Sequence, residues 1–194
     1  MGRVPEVGVL GVERICALLA DQTLRIDPLD PAGFGVASYT LRLANLFRRW
    51  NALSRVDLAD PEWNVGGSLG GVEALDSLTI APGEFFLGAS VEELSLPTNV
   101  IGRLSTSSHM ARFGLSFIQS SSLVHPGFGR PPTRITFEIS SINPAPIRIP
   151  AGLPVCHMVL TEVSEASGST SAGQRSAYER VPAPAPPALP ATWF

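Results

Sequence analysis

The sequence predicts a mainly β fold, a distorted β-barrel or jelly roll preceded by a short N-terminal helix. The chain of 194 residues holds 18 glycines and 18 prolines, which suits an architecture rich in turns. Its short apolar or alternating runs are separated by Gly, Pro, Asn and Asp, and no helical segments alternate with them. Closely spaced strands with frequent turn residues are typical of barrels and jelly rolls, not of an alternating α/β fold.

A helix is expected first, because Val12, Ile15, Cys16 and Leu19 have the spacing of one apolar helical face. Turn-forming residues at 27–31 end that region. Strands are then predicted at residues 36–43, 78–80, 84–87, 100–104, 115–119, 134–140, 146–149 and 155–162.

The β domain is expected to cover residues 1–163, and residues 164–194 form a C-terminal arm of different composition. The arm is rich in Ser, Gly and Thr at first and in Pro and Ala later. Such composition cannot build a packed core and favours extended conformations. Two interpretations stay open, a disordered end or an arm that closes over a site or a neighbouring subunit. Composition alone favours the first, and Trp193 and Phe194 keep the second open, since such residues are unusual in a solvated end.

Composition also narrows the function classes. The formal net charge of −3 argues against a dedicated nucleic-acid binder. All 14 basic residues are arginines, which excludes lysine Schiff-base chemistry and a Walker-A phosphate site. No secretory signal and no run long enough to span a membrane are found, so a cytoplasmic protein without a membrane partner is expected. Cys16 and Cys156 lack partners at metal-ligand spacing.

Two stretches carry residues suited to chemistry. Ser108 and Arg112 are four apart in a predicted helical turn, where a hydroxyl and a guanidinium could grip a phosphate or a polarised carbonyl. On spacing alone, such a turn is more often a solvated corner. In residues 134–140 polar residues alternate with apolar ones, so Glu138 points away from Phe137 and Ile139. It could face solvent, a subunit interface or a pocket.

Seven motifs in register resemble the dCTP deaminase family of the trimeric dUTPase-like superfamily, over about residues 9–162. In chain order they read I-D-P, A-S-Y-T-L-R-L, A-P-G-E-F-F-L-G, S-S-x-x-A-R-x-G-L, H-P-G-F, T-F-E-I-S and P-A-G-L-P. The resemblance implies a homotrimer with active sites shared between subunits. It also implies a nucleotide substrate, with Mg²⁺ bound through the nucleotide phosphates and no protein-ligated metal.

The implied activity is zinc-independent hydrolytic deamination of a cytosine nucleotide. By resemblance, Glu138 takes a proton from the water that attacks C4 of the base, while Ser108 and Arg112 position the water and stabilise charge. Ser121 stands where a backbone carbonyl helps to hold that water. The three histidines and two cysteines do not form the zinc-deaminase pattern.

Several positions depart from the family pattern, mostly in sugar and phosphate recognition. Ser107 replaces a basic residue, and Arg103 could substitute for it as a phosphate contact. His125 replaces an aspartate associated with the sugar hydroxyl. Thr40 replaces a carboxylate, which weakens a dUTPase-like pyrophosphatase interpretation. Tyr178 remains from a reduced C-terminal phosphate clamp.

Three functions are therefore carried forward. The first is a nucleotide deaminase with altered sugar, phosphate or base preference. The others are a catalytically inactive nucleotide-binding paralogue and a dUTPase-like nucleotide pyrophosphatase. His125 is either a ligand contact or a turn residue packed beside Phe128, and both interpretations stay open.

Two other features are interpreted as structural. His157 is expected to be a hydrogen-bonded core histidine in the last strand. The basic-aromatic residues at 48–50 are expected to lie in a solvated loop.

Overall fold

The computed structural model describes residues 8–51 and 69–164 together with Pro184. In chain order its elements are α1 (Val12–Ala20), β1 (Arg25–Asp27), a 3₁₀ turn (Pro31–Gly33), β2 (Tyr39–Arg49), β3 (Glu73–Ala74), β4 (Ser77–Ile80), β5 (Phe85–Ser95), β6 (Val100–Thr106), α2 (Ser108–Arg112), β7 (Leu115–Ser116), β8 (Leu123–Val124), β9 (Thr133–Ser141), β10 (Ile147–Pro150) and β11 (Pro154–Glu162).

The predicted fold class is confirmed. A nine-stranded antiparallel sheet has the order β7-β9-β5-β2-β11-β6-β8, with β1 paired to β5 and β3 paired to β2. The sheet curls into half a barrel. A separate ribbon pairs β10 with β4.

Alternation along the strands builds the core. In β9 the side chains of Ile135, Phe137 and Ile139 are buried, and the residues between them are partly exposed. On the side of the core formed by β2, Tyr39 and Leu41 are fully buried. Phe117 and Phe137 meet edge to face with ring centroids 6.1 Å apart, an arrangement that stabilises aromatic pairs beyond area burial.

Helix α1 forms where it is predicted, but its buried face differs slightly from the expected one. Ile15 and Leu18 are buried and Leu19 packs beside them, whereas Cys16 is exposed. Leu18 and Leu19 follow Ile15 by three and four residues, so these three form the stripe toward the sheet. The predicted stripe was therefore rotated by part of a turn.

Each predicted strand region contains a strand, but some boundaries differ. The strand predicted at 115–119 ends at Ser116, and β5 continues to Ser95 rather than ending at 87. The short strands β1, β3 and β8 were missed, because two or three residues are too few to show a period of two.

The expectation of a solvated loop at residues 48–50 is wrong. Strand β2 continues through Arg49, and Trp50 forms a β-bridge with Leu69. The Arg49 guanidinium lies 4.7 Å from the centroid of the Phe86 ring, within the range of a cation–π contact. These residues therefore extend the sheet instead of forming a basic patch.

A buried charge network joins β2 to β5. The Glu92 side chain is fully buried, and its Oε1 accepts a hydrogen bond from Arg42 Nε at 2.7 Å. Glu92 Oε2 accepts the backbone N–H of Arg42 at 2.9 Å, and Arg42 Nη1 lies 3.3 Å from Asp30 Oδ2. The hydrogen bond to Glu92 raises the pKa of the Arg42 guanidinium. The network fixes β2 beside the bulge of β5.

Arg42→Met is expected to lower the free energy of unfolding by about 3 kcal/mol, because it leaves the Glu92 carboxylate buried without its cation. Urea denaturation measures this loss, and adding Glu92→Met should recover most of it. Arg25→Met is the matched control, since Arg25 pairs with Asp27 on the surface. An equal loss from both single variants would contradict the role assigned to the buried pair.

Candidate active site

Helix α2 presents Ser108 and Arg112 to solvent. The Ser107 hydroxyl oxygen accepts the backbone N–H of Met110 at 3.4 Å and caps the helix. Met110 packs against the core, so Ser108 and Arg112 lie on the exposed side of the single predicted turn. Arg112 forms no ion pair or hydrogen bond with the described residues. Ser107 is buried, and its hydroxyl is used as the N-terminal cap of the helix.

Glu138 lies on the outward face of β9, as predicted from the alternation, and is partly buried. Its Oε2 accepts the backbone N–H of Gln119 at 3.0 Å. The side-chain amide of Gln119 donates to the backbone oxygen of Glu138 at 3.2 Å and to Ser140 Oγ at 2.5 Å. Sequence reasoning missed Gln119, for which the only signal was an amide at the end of a predicted strand.

A groove of about 570 Å³ opens beside this pair, between helix α2 and the two edges of the curled sheet. Its lining residues are Leu104, Ser105, Thr106, Ala111, Gly114, Leu115, Ser116, Ile118, Gln119, Ser120, Ser122, Ser140 and Ile142. Hydroxyl and apolar groups dominate, and none of these residues is charged. Gln119 and Ser140 connect the groove to Glu138, whereas Glu138, Ser108 and Arg112 are not among the lining residues.

Three other predicted site residues gather around β8. Arg103 points outward from β6, opposite Leu123 of β8. Ser121 and His125 flank β8, and both are exposed. Arg103 forms no ion pair or hydrogen bond with the described residues. The eighth predicted residue, Tyr178, lies outside the described residues.

His157 lies on the same outward face of the sheet as Arg103. Its register partners are Thr40 on β2 and Ser105 on β6. Its Nδ1 is 3.0 Å from Thr40 Oγ1, so the expected hydrogen-bond partner exists. The expectation of a core position is wrong, because from Cys156 onward the strand alternates: Cys156 and Met158 face the core, and His157 between them faces outward and is partly buried.

The described residues supply no evident metal site. Within residues 8–51 and 69–164, no group of three or more His, Cys, Asp or Glu side chains is arranged to hold a metal ion. In the same part of the chain, neither helix has the length and apolar character needed to cross a membrane.

Comparison with known proteins decides the family. The model of the family described as dCTP deaminase-like matches residues 9–163. The chain belongs to the dCTP deaminase-like family. This confirms the resemblance found in the sequence motifs.

Curated relatives of this dCTP deaminase-like protein agree with the match. A protein of Rhodococcus erythropolis named "dCTP deaminase, dUMP-forming" is 31% identical over 182 residues, covering 86% of this chain and 94% of its own. A protein of the same name from Mycobacterium bovis is 33% identical with the same two coverages.

A solved structure shares the fold. The 2'-deoxycytidine 5'-triphosphate deaminase from Agrobacterium tumefaciens has a TM-score of 0.64 at 20% identity. The match covers 83% of this chain and 49% of the Agrobacterium chain, so this chain spans about half of that protein.

Proposed function

We propose that this protein hydrolyses the exocyclic amino group of a cytosine nucleotide without a zinc ion. The observation that carries the proposal is the Glu138 carboxylate. Its Oε2 is held by the Gln119 N–H, whereas Oε1 has no hydrogen-bond partner among the described residues. A fixed carboxylate with one free oxygen, next to an open groove, is suited to take a proton from water. Family membership and the names of the relatives support a cytosine nucleotide as substrate.

The proposed reaction balances with water as the only co-reactant. Glu138 Oε1 removes a proton from water as its oxygen bonds to C4 of the base. The same carboxyl delivers this proton to N3, which gives a tetrahedral adduct with a hydroxyl and an amino group on C4. It then takes the second proton from that hydroxyl and passes it to the amino group, so that the C4–O double bond forms, the C4–N bond breaks and ammonia leaves. Preorganised donors would stabilise the charge that develops in this step. Ser108 and Arg112 supply a hydroxyl and a guanidinium of the required kind.

Ser108 and Arg112 are proposed to act in the site of a neighbouring subunit. Both are exposed on α2, and neither lines the groove beside Glu138 of its own chain. A homotrimer with shared sites would bring the α2 of one subunit to the β9 of the next. The free guanidinium of Arg112 supports this placement, since no described residue of its own chain uses it.

The substrate is proposed to carry fewer phosphates than a triphosphate, or a modified sugar. The groove lining holds no charged side chain, and Ser107 uses its hydroxyl as a helix cap. Arg103 and His125 remain available, but they lie around β8 rather than in the groove lining. Phosphate contacts draw on cations and backbone donors, so a site whose only proposed cation is the Arg112 of a neighbouring subunit favours a less charged ligand.

Magnesium is proposed to reach the site on the nucleotide phosphates. The described residues offer no ligand set for a resident ion, and no step of the proposed reaction depends on one. A cytoplasmic location, where such nucleotides are found, remains a prediction.

Loss of diphosphate is a second candidate activity. The relatives' name pairs dCTP as substrate with dUMP as product, which requires removal of two phosphates as well as the amino group. In this chain Thr40 stands at the carboxylate position and its hydroxyl contacts His157. Because the Thr40 hydroxyl is neutral, is hydrogen-bonded to His157 and cannot act as a general base as a carboxylate does, we propose that the phosphate chain of the substrate is kept.

Glu138→Gln is expected to lower ammonia release by at least about 100-fold, because the amide cannot accept the proton from water. The assay uses cytosine nucleosides and their mono-, di- and triphosphates with Mg²⁺, in deoxy, ribo and modified-sugar forms. Glu73→Gln is the control, since Glu73 is exposed on β3. The oligomeric state of both variants should match that of the parent protein.

Other results of this assay separate the alternatives. Binding without ammonia release across the panel would contradict the enzyme and favour an inactive nucleotide-binding paralogue. Release of diphosphate without ammonia would favour the pyrophosphatase. Activity lost to a zinc-selective chelator and restored by zinc would contradict the zinc-independent mechanism.

An exposed apolar patch supports the trimer. Ile142 and Phe113 are 87% and 57% exposed, Ile142 lines the groove, and hydrogen bonds join the two segments that carry them. Backbone bonds fix the patch, since Ile142 N–H donates to the Gly114 oxygen at 2.9 Å. The Asn143 side-chain amide also donates to the Phe113 oxygen at 2.9 Å. Exposed apolar surface of this kind favours burial against another chain.

Ile142→Ser is expected to weaken the trimer at least tenfold in analytical ultracentrifugation. Burial of the isoleucine side chain contributes roughly 2 kcal/mol to the contact, and serine loses this contribution. Val36→Ser is the matched control, as Val36 is 90% exposed elsewhere. A parent protein that sediments as a monomer, or equal effects of both variants, would contradict the shared-site trimer.

The C-terminal arm is proposed to close over the site. Ser164 and Pro184 are the described residues of this arm, and Pro184 is buried, which favours an arm that packs. Deleting the residues after Arg180 is then expected to raise KM for the substrate severalfold with little effect on stability. An unchanged KM in steady-state kinetics would favour the disordered end.

A further inference from the structure

We propose that Gln119 is the positioning residue of Glu138, and that it determines which carboxylate oxygen accepts the proton from water. This inference rests on the proposed deaminase function. Nothing in the sequence motifs points to Gln119, which enters through three hydrogen bonds. All three run from Gln119 to β9, one from its backbone and two from its side chain.

The segment that carries Gln119 is fixed two residues earlier, at Phe117. Phe117 is fully buried, its N–H donates to Thr106 Oγ1 at 2.9 Å, and its oxygen accepts the N–H of Glu138 at 3.0 Å. Residues 117–119 therefore continue along β9 beyond the end of β7. This path brings the backbone N–H of Gln119 to the carboxylate of Glu138.

The backbone N–H of Gln119 makes the two carboxylate oxygens of Glu138 different, because it donates a hydrogen bond to Oε2 and not to Oε1. A hydrogen bond to an ionised carboxylate is stronger than one between neutral groups, so Oε2 is held in place. Rotation of the carboxylate is restricted as a result, and Oε1 keeps one orientation. That oxygen is the one left to receive the proton from water.

The side chain of Gln119 keeps the N–H in place. Ile118 still packs against the core, but Gln119, Ser120 and Ser121 are exposed, so packing holds the chain only as far as Ile118. The amide bridges the Glu138 backbone oxygen and Ser140 Oγ, which are successive outward positions of β9. It thus ties the segment to the strand that carries the carboxylate. The atoms of Gln119 hold Glu138 and do not themselves take part in the reaction.

Gln119→Met tests the role by removing both side-chain donors while preserving length and the backbone N–H. We expect kcat to fall about tenfold, with KM within about twofold of the parent value, because two hydrogen bonds of modest net strength are lost. Arg148→Met is the control, since it also replaces an exposed side chain that donates a hydrogen bond, to Ser77 Oγ, on the β10–β4 ribbon, which does not line the groove. Gln119→Asn, whose amide is one methylene shorter, replaces the methionine variant if that protein does not fold.

Hydrogen exchange of the Gln119 amide provides a readout independent of activity. Gln119→Met and Glu138→Ala are each expected to speed exchange of the amide at position 119 about tenfold, whereas Arg148→Met leaves it unchanged. An unchanged exchange rate in Gln119→Met would overturn the proposal, as would an unchanged kcat in an active enzyme. A raised KM with the parent kcat would also overturn it, because Gln119 would then be a substrate contact.

Failure of the proposed function gives a different pattern. A parent protein that releases no ammonia from any nucleotide would refute the proposed deaminase activity. The exchange rates alone would then show whether Gln119 restrains Glu138. Faster exchange in both variants would uphold the restraint on Glu138, and unchanged rates would refute it.

Discussion

The hydrogen bond from the Gln119 backbone to Glu138 Oε2 is the contact on which the proposed site depends. It exists because β7 continues along β9 past the buried anchor at Phe117 and brings an exposed segment to an outward carboxylate. Without it, Glu138 would be one more solvated residue of a strand. With it, one oxygen is occupied and the other is open beside a groove of hydroxyl groups. The curled sheet matters to the proposed function mainly because it brings Gln119, Glu138 and the groove together.

The departures from the family pattern have a common physical character. The positions that would meet sugar and phosphate have exchanged charged groups for hydroxyl or imidazole groups, as at Ser107, His125 and Thr40. The structure gives two of these residues other partners, since Ser107 caps α2 and Thr40 contacts His157. The groups proposed for deamination persist alongside them. The proposed change of ligand, with the reaction unchanged, is consistent with both observations.

Much of this could be predicted from the sequence, because alternation and turn residues report burial directly. The outward position of Glu138 and the helical turn at Ser108 followed from two periodicities. Contacts between distant segments could not be predicted in this way. The hydrogen bond from Gln119 to the Glu138 carboxylate joins residues 19 apart. Its donor is a backbone N–H, so no residue type in the sequence indicates it. The outward position of His157 depends on the register of β11 against β2 and β6, and only the assembled sheet shows that register.

Hydrolysis in water enriched in ¹⁸O, with the parent protein and Glu138→Gln side by side, tests the central claim most directly. If Glu138 activates water for attack on the base, mass spectrometry of the product should find one ¹⁸O in the uracil ring for each ammonia that the parent protein releases, and far slower labelling with Glu138→Gln. The phosphate groups should carry none. Equal rates of labelling in the two proteins would contradict the role of Glu138. A product labelled only in its phosphates, or ammonia released without ¹⁸O in the base, would contradict water attack at C4.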